Sequence, residues 1–364
     1  MNIKKYIIDK CKEVGIDIIG FTNSNEFTEL SEFLKNRKEK NYETEFEEKD
    51  IEKRISPRKI MGEGETIIVI GVSYDKSGVM YEGISKSSVG TDYHIVLNEK
   101  MNKLIDEIKK VQKDFKYFSG VDTTPLIDRY LAKKSGIGWF GRNCSIINDE
   151  YGSFIFIGYI ITNLKLEEDR EVESKCKDCD LCIRSCPVGA IKPNYELNAK
   201  RCISYLTQTK ETIPYELRDK MENKIYGCDT CQLVCPKNKD IIEKRTSQWE
   251  GAYKNIDLEE LFKMTNKEFT EKYGHMAFSW RGKNIIKRNI IIKMGNLKNK
   301  DYMKLLKVAL KDNSPMIRKY SAWSILKIDF NSGLNILEEH IKNEKDGDVI
   351  SEINNLIDYF KNLG

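Results

Sequence analysis

Cys176-Lys177-Asp178-Cys179-Asp180-Leu181-Cys182-Ile183-Arg184-Ser185-Cys186-Pro187 is the stretch on which the reading of this chain turns. Its spacing, C-x2-C-x2-C-x3-C-P, is that of bacterial ferredoxins, where three close thiolates hold one [4Fe–4S] cluster and the fourth reaches a second. A second run, Cys228-x2-Cys231-x3-Cys235-Pro236, is one cysteine short of the repeat, and Cys202 lies between the runs as the natural substitute. The spacing therefore assigns Cys176, Cys179, Cys182 and Cys235 to one cluster, and Cys186, Cys202, Cys228 and Cys231 to the other. Structural zinc favours two CxxC pairs on a knuckle instead. A disulfide framework belongs to oxidising compartments. Cys11 and Cys144 stand outside both runs in apolar-rich segments and read as small buried hydrophobes.

Upstream of the cysteines the pattern is α/β. Residues 2–14 carry apolar residues at helical spacing, and the run from Asp17 to Phe21 follows. Glu43 to Arg58 is dense in charge and reads as a surface helix or loop. Thr66-Ile-Ile-Val-Ile-Gly-Val-Ser-Tyr74 is the clearest strand, β-branched and continuously apolar, which predicts a place inside a sheet covered on both faces. Residues 98–116 predict a helix, as does Pro125 to Lys134, with Thr123 or Thr124 as its cap and Pro125 in its first turn. Cys144 to Asn148 and Ser153 to Ile161 read as a strand pair about the turn Asp149–Gly152.

Downstream of about Ile256 the pattern is helical. Segments near 283–297, 301–311, 315–328, 331–342 and 347–362 suggest a small stack of HEAT-like helix pairs, with Ser314-Pro315 opening the third. The expected domains are thus an α/β domain over 1–165, a ferredoxin-like double-cluster module over 166–245 and an all-α domain over 246–364. Two clusters pass single electrons and select no substrate, so a wire set between these two domains implies a reaction centre nearby.

The 364 residues suffice for a core without staples. No window approaches the roughly eighteen apolar residues of a membrane span, and the start Met1-Asn-Ile-Lys-Lys-Tyr6 has no apolar signal region. These features predict a cytoplasmic protein away from membranes. The net charge of +4 says little, but its distribution says more. From Arg281 to Lys319 twelve Lys or Arg face only Asp301 and Asp312, whereas from Asp329 onward eight acids face three lysines. A basic band of this kind is a polyanion-facing surface or an ordinary solvated helix face.

Four stretches resemble the epoxyqueuosine reductase family, cobalamin-dependent iron–sulfur enzymes of tRNA modification. They are Gly90-Thr-Asp-Tyr-His94; Val121-Asp-Thr-Thr-Pro125 running to Ser135-Gly-Ile-Gly-Trp-Phe-Gly-Arg-Asn143; the cysteine segment with Arg201–Thr207 and Tyr226–Gln232; and Arg288-Asn289 and Gly295-Asn296 leading to Asp312–Arg318 and Ala322-Trp323. The likeness runs from about residue 54 onward. Thr124, Ser135 and Arg142 depart mildly from the family's wording, and the first fifty residues match weakly.

The resemblance implies reduction of epoxyqueuosine to queuosine at the tRNA wobble position. It implies cobalamin in the α/β domain, fed by the two clusters, and an anticodon stem-loop held partly by the helical repeats. By its match to the family motif, Asp122 is the candidate proton donor, expected to be kept protonated by burial beside the corrin. Capping of the helix from Pro125 is the alternative role. Asp128 is the second candidate and reads as a surface charge. Tyr93 and His94 are expected near the corrin, His94 without ligating cobalt. Ser204 and Gln232 are further cobalamin contacts. Gly136, Gly138 and Gly141 formally match G-x-G-x-x-G but follow a helix, so they read as a turn admitting the corrin. Arg281, Lys283, Lys287, Arg288, Arg318 and Lys319 are the candidate tRNA contacts, with Trp139, Tyr273, Phe278 and Trp280 as possible stacking partners. A flavodoxin or ferredoxin is the expected donor, and the chain is expected to act as a monomer. Two rivals are a cobalamin-dependent reductive dehalogenase, usually exported and without the helical tail, and a non-catalytic ferredoxin-like electron carrier. A tRNA-binding scaffold with a structural cluster is a third.

Overall fold

A computed structural model describes residues 1–74, 80–239, 241, 253–254 and 256–362. Contacts divide the chain into two units: Met1–Gly78 with Thr91–Cys202 and Asp229–Gly251, and Val79–Gly90 with Ile203–Cys228 and Ala252–Gly364. This division cuts across the three consecutive domains expected from sequence, because the chain leaves the first unit at Cys202 and re-enters it at Asp229.

The first unit is built on a four-stranded sheet of β1 (Ile18–Asn23), β2 (Thr66–Ser73), β3 (Tyr117–Gly120) and β4 (Ile155–Thr162), in the order β1-β2-β4-β3. All three pairings are antiparallel. Every residue of β2 is buried, as its unbroken apolar run predicts for an inner strand. Alternation then sorts its side chains. Ile68, Ile70 and Val72 pack with Ile7 and Cys11 of the helix Ile3–Glu13 and with Leu97, Met101, Leu104 and Ile108 of the helix Tyr93–Val111. Ile67 and Val69 face the other way, onto Leu34, Ile55, Leu131 and Ala132.

Three local readings are corrected, and the glycine turn shows a close approach within the chain itself. Ser153–Ile161 does not pair with Cys144–Asn148; β4 joins β2 and β3, while Ile146–Ile147 pairs with Trp139–Phe140. The helix expected from Pro125 begins at Asp128, with Ile127 at its cap position and no side-chain cap bond. The charged stretch after Glu43 is partly interior: Arg54 and Glu43 are both buried and sit 3.5 Å apart as an ion pair. The glycines of the 136–141 turn make room for their own chain. A Cβ on Gly136 would lie 2.3 Å from the Arg170 carbonyl oxygen, and one on Gly138 2.5 Å from that of Ile147.

The second unit is dominated by helices Lys283–Leu297, Met303–Ala309, Pro315–Ile328, Phe330–Ile341 and Gly347–Lys361. Its central polar feature is a clamp. Arg288, fully buried, donates from Nη1 to the Thr209 carbonyl at 2.6 Å and from Nη2 to that of Leu206 at 2.8 Å. Asn289 donates to the carbonyls of Thr207 at 2.7 Å and Ile225 at 2.8 Å. These four bonds fix the chain four to seven residues beyond Cys202 and three residues before Cys228.

Ile68 is fully buried on β2, while Ile95 is 53% exposed. Ile68→Ala is expected to cost about 2–5 kcal/mol of stability, and Ile95→Ala less than about 0.5 kcal/mol. Denaturant midpoints of the two variants check this difference.

Candidate active site and cluster region

Asp92 places the first group of the site. Its carboxylate caps the helix Tyr93–Val111 by accepting the His94 amide N–H at 2.9 Å. The same oxygen, Oδ1, lies 2.7 Å from His94 Nδ1. On the other side of the ring, His94 Nε2 lies 2.7 Å from Asp122 Oδ1. Carboxylates only accept, so both ring nitrogens act as donors and the ring is an imidazolium. Its pKa is raised to about 9, first by the Asp122 hydrogen bond, against desolvation, with Asp92 adding to the rise.

The Tyr93 hydroxyl donates to Asp122 Oδ2, and the Tyr93 ring stacks on the His94 ring at 4.1 Å between centroids. Tyr93 also stacks on Phe156 at 4.7 Å, and Phe156 meets Tyr74 at 4.4 Å. A half-buried aromatic row therefore ends at the Asp122 carboxylate.

Asp122 sits in the loop before the Asp128–Lys134 helix and does not cap it. Burial pushes its carboxyl upward, but the hydrogen bonds from His94 and Tyr93 outweigh this and hold it below the usual carboxylate range. Without a corrin in place, the hydrogen bonds thus favour an ionised Asp122 carboxylate beside a protonated His94, opposite to the direction that burial alone gives. Asp128, expected to be a surface charge, has one oxygen fully buried, while its other accepts the Asp122 amide N–H at 2.8 Å. Asp92 and Asp128 are the two residues of this constellation whose roles the sequence reading missed. The signal for Asp92 was available, as an acid two residues before a histidine at a helix start.

The cysteine segment forms two similar turns, Leu181–Arg184 after Asp180 and Thr230–Leu233 after Asp229, which present Cys182 and Cys231. Cys176, Cys179, Cys182 and Cys235 together line a cavity of about 110 Å³, closed by Arg142, Ile147, Leu181 and Pro236. Burial raises the Cys182 thiol, and the neighbouring Cys235, Cys176 and Cys179 raise it further. Among the described residues no group of three His, Cys, Asp or Glu side chains is arranged to hold a single metal ion. Cys186, Cys202 and Cys231 belong to the first unit and Cys228 to the second. Cys11 and Cys144 are buried. Gln232 Oε1 accepts from Ser153 Oγ at 2.8 Å and from the Tyr74 hydroxyl at 3.2 Å. Ser204 lies in the second unit, where its carbonyl accepts from Thr207 and Gln208.

The basic band is not uniformly available to a polyanion. Arg288 is withdrawn as a phosphate contact, since it is fully buried in the clamp. Lys287 is buried against Asp312 at 2.6 Å. Arg318 is bound by Glu344 at 2.7 Å. Arg281 and Lys283 line, with Lys210 and Asn284, an open cavity of about 530 Å³. Lys319 is half-buried on the helix Pro315–Ile328. Of the four aromatics, Trp139, Tyr273 and Phe278 are core residues, whereas Trp280 is exposed.

A profile of epoxyqueuosine reductase QueG, DUF1730, matches residues 54–123, the span containing Tyr93, His94 and Asp122. A 4Fe-4S double cluster binding domain matches residues 175–238, the span containing all eight cysteines of the two runs. An epoxyqueuosine reductase of Bacillus anthracis is 38% identical over 97% of this chain and 96% of its own length. That of Bacillus subtilis is 37% identical over 100% and 97%. The chain belongs to the epoxyqueuosine reductase family. A solved epoxyqueuosine reductase with an epoxyqueuosine-modified tRNA-Tyr stem loop superimposes with a TM-score of 0.90 at 38% identity, covering 99% of both chains. A Bacillus subtilis epoxyqueuosine reductase whose catalytic aspartate loop is swung out of the active site gives 0.87 at 36%, covering 98% of both. This reductase is accordingly an oxidoreductase with a double-cluster segment and a helical C-terminal part.

Because the folded-state pKa of His94 lies above its ordinary 6.5, the ion pair stabilises the reductase fully below that value and is lost as pH rises through about 9. NMR titration of the His94 ring is expected to give a midpoint near 9, falling toward the ordinary imidazole value in Asp122→Asn. An unshifted midpoint in the parent protein contradicts the pairing.

Proposed function

We propose that this enzyme reduces epoxyqueuosine to queuosine at the wobble position of tRNA, with cobalamin at the Asp122 site and two [4Fe–4S] clusters as its electron supply. The observation that carries the reading is the Tyr93–His94–Asp122 constellation, which lies inside the segment matched by the family profile. The overall change is balanced by two electrons and two protons: the epoxide carbon–oxygen bonds break, an alkene forms and the oxygen leaves as water.

The residues present fit a corrin. The row Tyr74, Phe156, Tyr93 and His94 offers flat, half-buried rings for an apolar macrocycle edge, with an acid–base pair at its end. Cobalamin, when bound, supplies the reduced cobalt chemistry that opens the carbon–oxygen bond. The chain's own part is the proton. Nε2 of His94 stores it and passes it along the 2.7 Å contact to Asp122 Oδ1. Asp122 then gives it to the oxygen of the opened epoxide. His94, one-third exposed, recharges from solvent for the second proton. The Tyr93 hydroxyl holds Asp122 Oδ2, so the carboxyl keeps one orientation through the transfer. Gln232, joined to this row through Tyr74, and Ser204 are carried as cofactor contacts.

Cys176, Cys179, Cys182 and Cys235 are proposed to hold one cluster, and Cys186, Cys202, Cys228 and Cys231 the other. For tRNA the supported contacts are Arg281, Lys283 and Lys319, with Trp280 as a platform for a base; the exposure of Trp280 and the basic cavity beside it favour this. The solved relative with a bound stem loop supports the same partner, with the helical stack read as HEAT-like repeats. A cytoplasmic monomer fed by a flavodoxin or ferredoxin completes the reading. Relatedness over the whole chain favours this reaction over dehalogenation and over a bare electron carrier or scaffold.

The deciding experiment is anaerobic reconstitution with iron, sulfide and cobalamin, followed by mass spectrometry of nucleosides from epoxyqueuosine-containing tRNA. Wild-type enzyme under strong reductant is expected to yield queuosine; an unchanged epoxide rejects the function. Asp122→Asn is expected to lower turnover about 10²–10⁴-fold with cluster content unchanged. Arg281→Ala or Lys283→Ala is expected to weaken tRNA binding and reduce the salt slope by roughly one each, measured by filter binding across a salt series.

A further inference from the structure

Asp122 has a backbone φ of +31°, in the left-handed region that a residue with a Cβ rarely occupies. The following turn is tight: the Thr123 amide and its hydroxyl both donate back to the Val121 carbonyl. Such a conformation persists only when its surroundings hold it. The group that holds it here is Asp128, whose Oδ2 accepts the Asp122 N–H at 2.8 Å across six residues. Its other oxygen is fully buried with no hydrogen-bond partner among the described residues, an arrangement that suits a neutral carboxyl rather than a charge.

We propose that Asp128 is the positioning residue of the active-site loop, holding the Asp122 backbone so that the Asp122 carboxylate meets Tyr93 and His94. This deepens the proposed mechanism and rests on Asp122 delivering the proton. The groups facing Asp128 are Asp122 from the loop, Arg129 from its own helix, His94 from the Tyr93–Val111 helix and Tyr159 from β4. Burial, then the Asp122 charge, raises the Asp128 carboxyl to about 7, against the Asp122 amide bond, Arg129 and His94. Its folded value therefore exceeds the unfolded one. Asp128 withdraws stability as pH climbs from the ordinary carboxylate range to about 7.

Two variants separate holding from charge. Asp128→Asn keeps an oxygen that can accept the Asp122 N–H but cannot ionise; Asp128→Ala keeps neither. Both are made in the full-length, cluster-containing protein. Asp128→Ala is expected to drop the His94 NMR titration toward the ordinary imidazole value and to lower turnover by about 10–100-fold, the loss typical of a misplaced group. Asp128→Asn is expected to retain most of the His94 shift, to turn over within about threefold of wild type, and to flatten the pH dependence of unfolding below pH 7. An unshifted His94 titration in Asp128→Ala overturns the proposal, as does Asp128→Asn behaving like Asp128→Ala. If instead Asp122→Asn turns over at full rate while its His94 shift is lost, the proton-delivery reading fails and the positioning role of Asp128 stands.

Discussion

One imidazole held between two carboxylates governs the chemistry available to this reductase. His94 has Asp92 at 2.7 Å on one nitrogen and Asp122 at 2.7 Å on the other. Neither acid can donate while ionised, so the arrangement is stable only with the ring doubly protonated. In the proposed mechanism that constraint puts the stored proton on His94 rather than on Asp122. A proton parked on His94 is renewable from water, because the ring is partly open to solvent. The helix cap, the aromatic stack and the tight Asp122 loop all serve to keep this contact short.

In the proposed mechanism, electrons and protons are managed by different parts of the chain. Short helices at the cysteine turns help form one thiol-lined volume, which is how a loop can fix a cluster without a large core. Near Cys202 and Cys228 the flanking chain is fastened by Arg288 and Asn289, buried groups whose donors reach carbonyls four ways. Truncating either would leave several carbonyls without partners in the interior, so this clamp resists change far more than a surface arginine does.

Much of the fold was legible because its signals are local. The unbroken β-branched run of β2 could only be an inner strand, and the five C-terminal helices appear within a few residues of the segments their periodicity marks. Strand pairing was less legible, since β4 chooses β2 and β3 over its sequence neighbour. The eight cysteines and Asp122 were visible as motifs. What composition could not reveal was where charged side chains end up: Arg288 and Lys287 belong to a basic band in sequence, yet one serves an internal clamp and the other an ion pair. The pull of hydrogen bonds on the Asp122 carboxyl was hidden for the same reason. Burial alone argues for a neutral acid, but two donors facing the carboxylate reverse the sign. Asp128, dismissed as a surface charge, became important only once the loop placed the Asp122 amide against it.

The most direct test is isotope-edited infrared spectroscopy of the reductase with ¹³C-labelled aspartate side chains at neutral pH, comparing wild type with Asp122→Asn. With an ionised carboxylate at residue 122, the difference spectrum should contain a lost carboxylate band and no lost carboxylic-acid band. A carbonyl stretch of a protonated acid that vanishes with Asp122→Asn would contradict it.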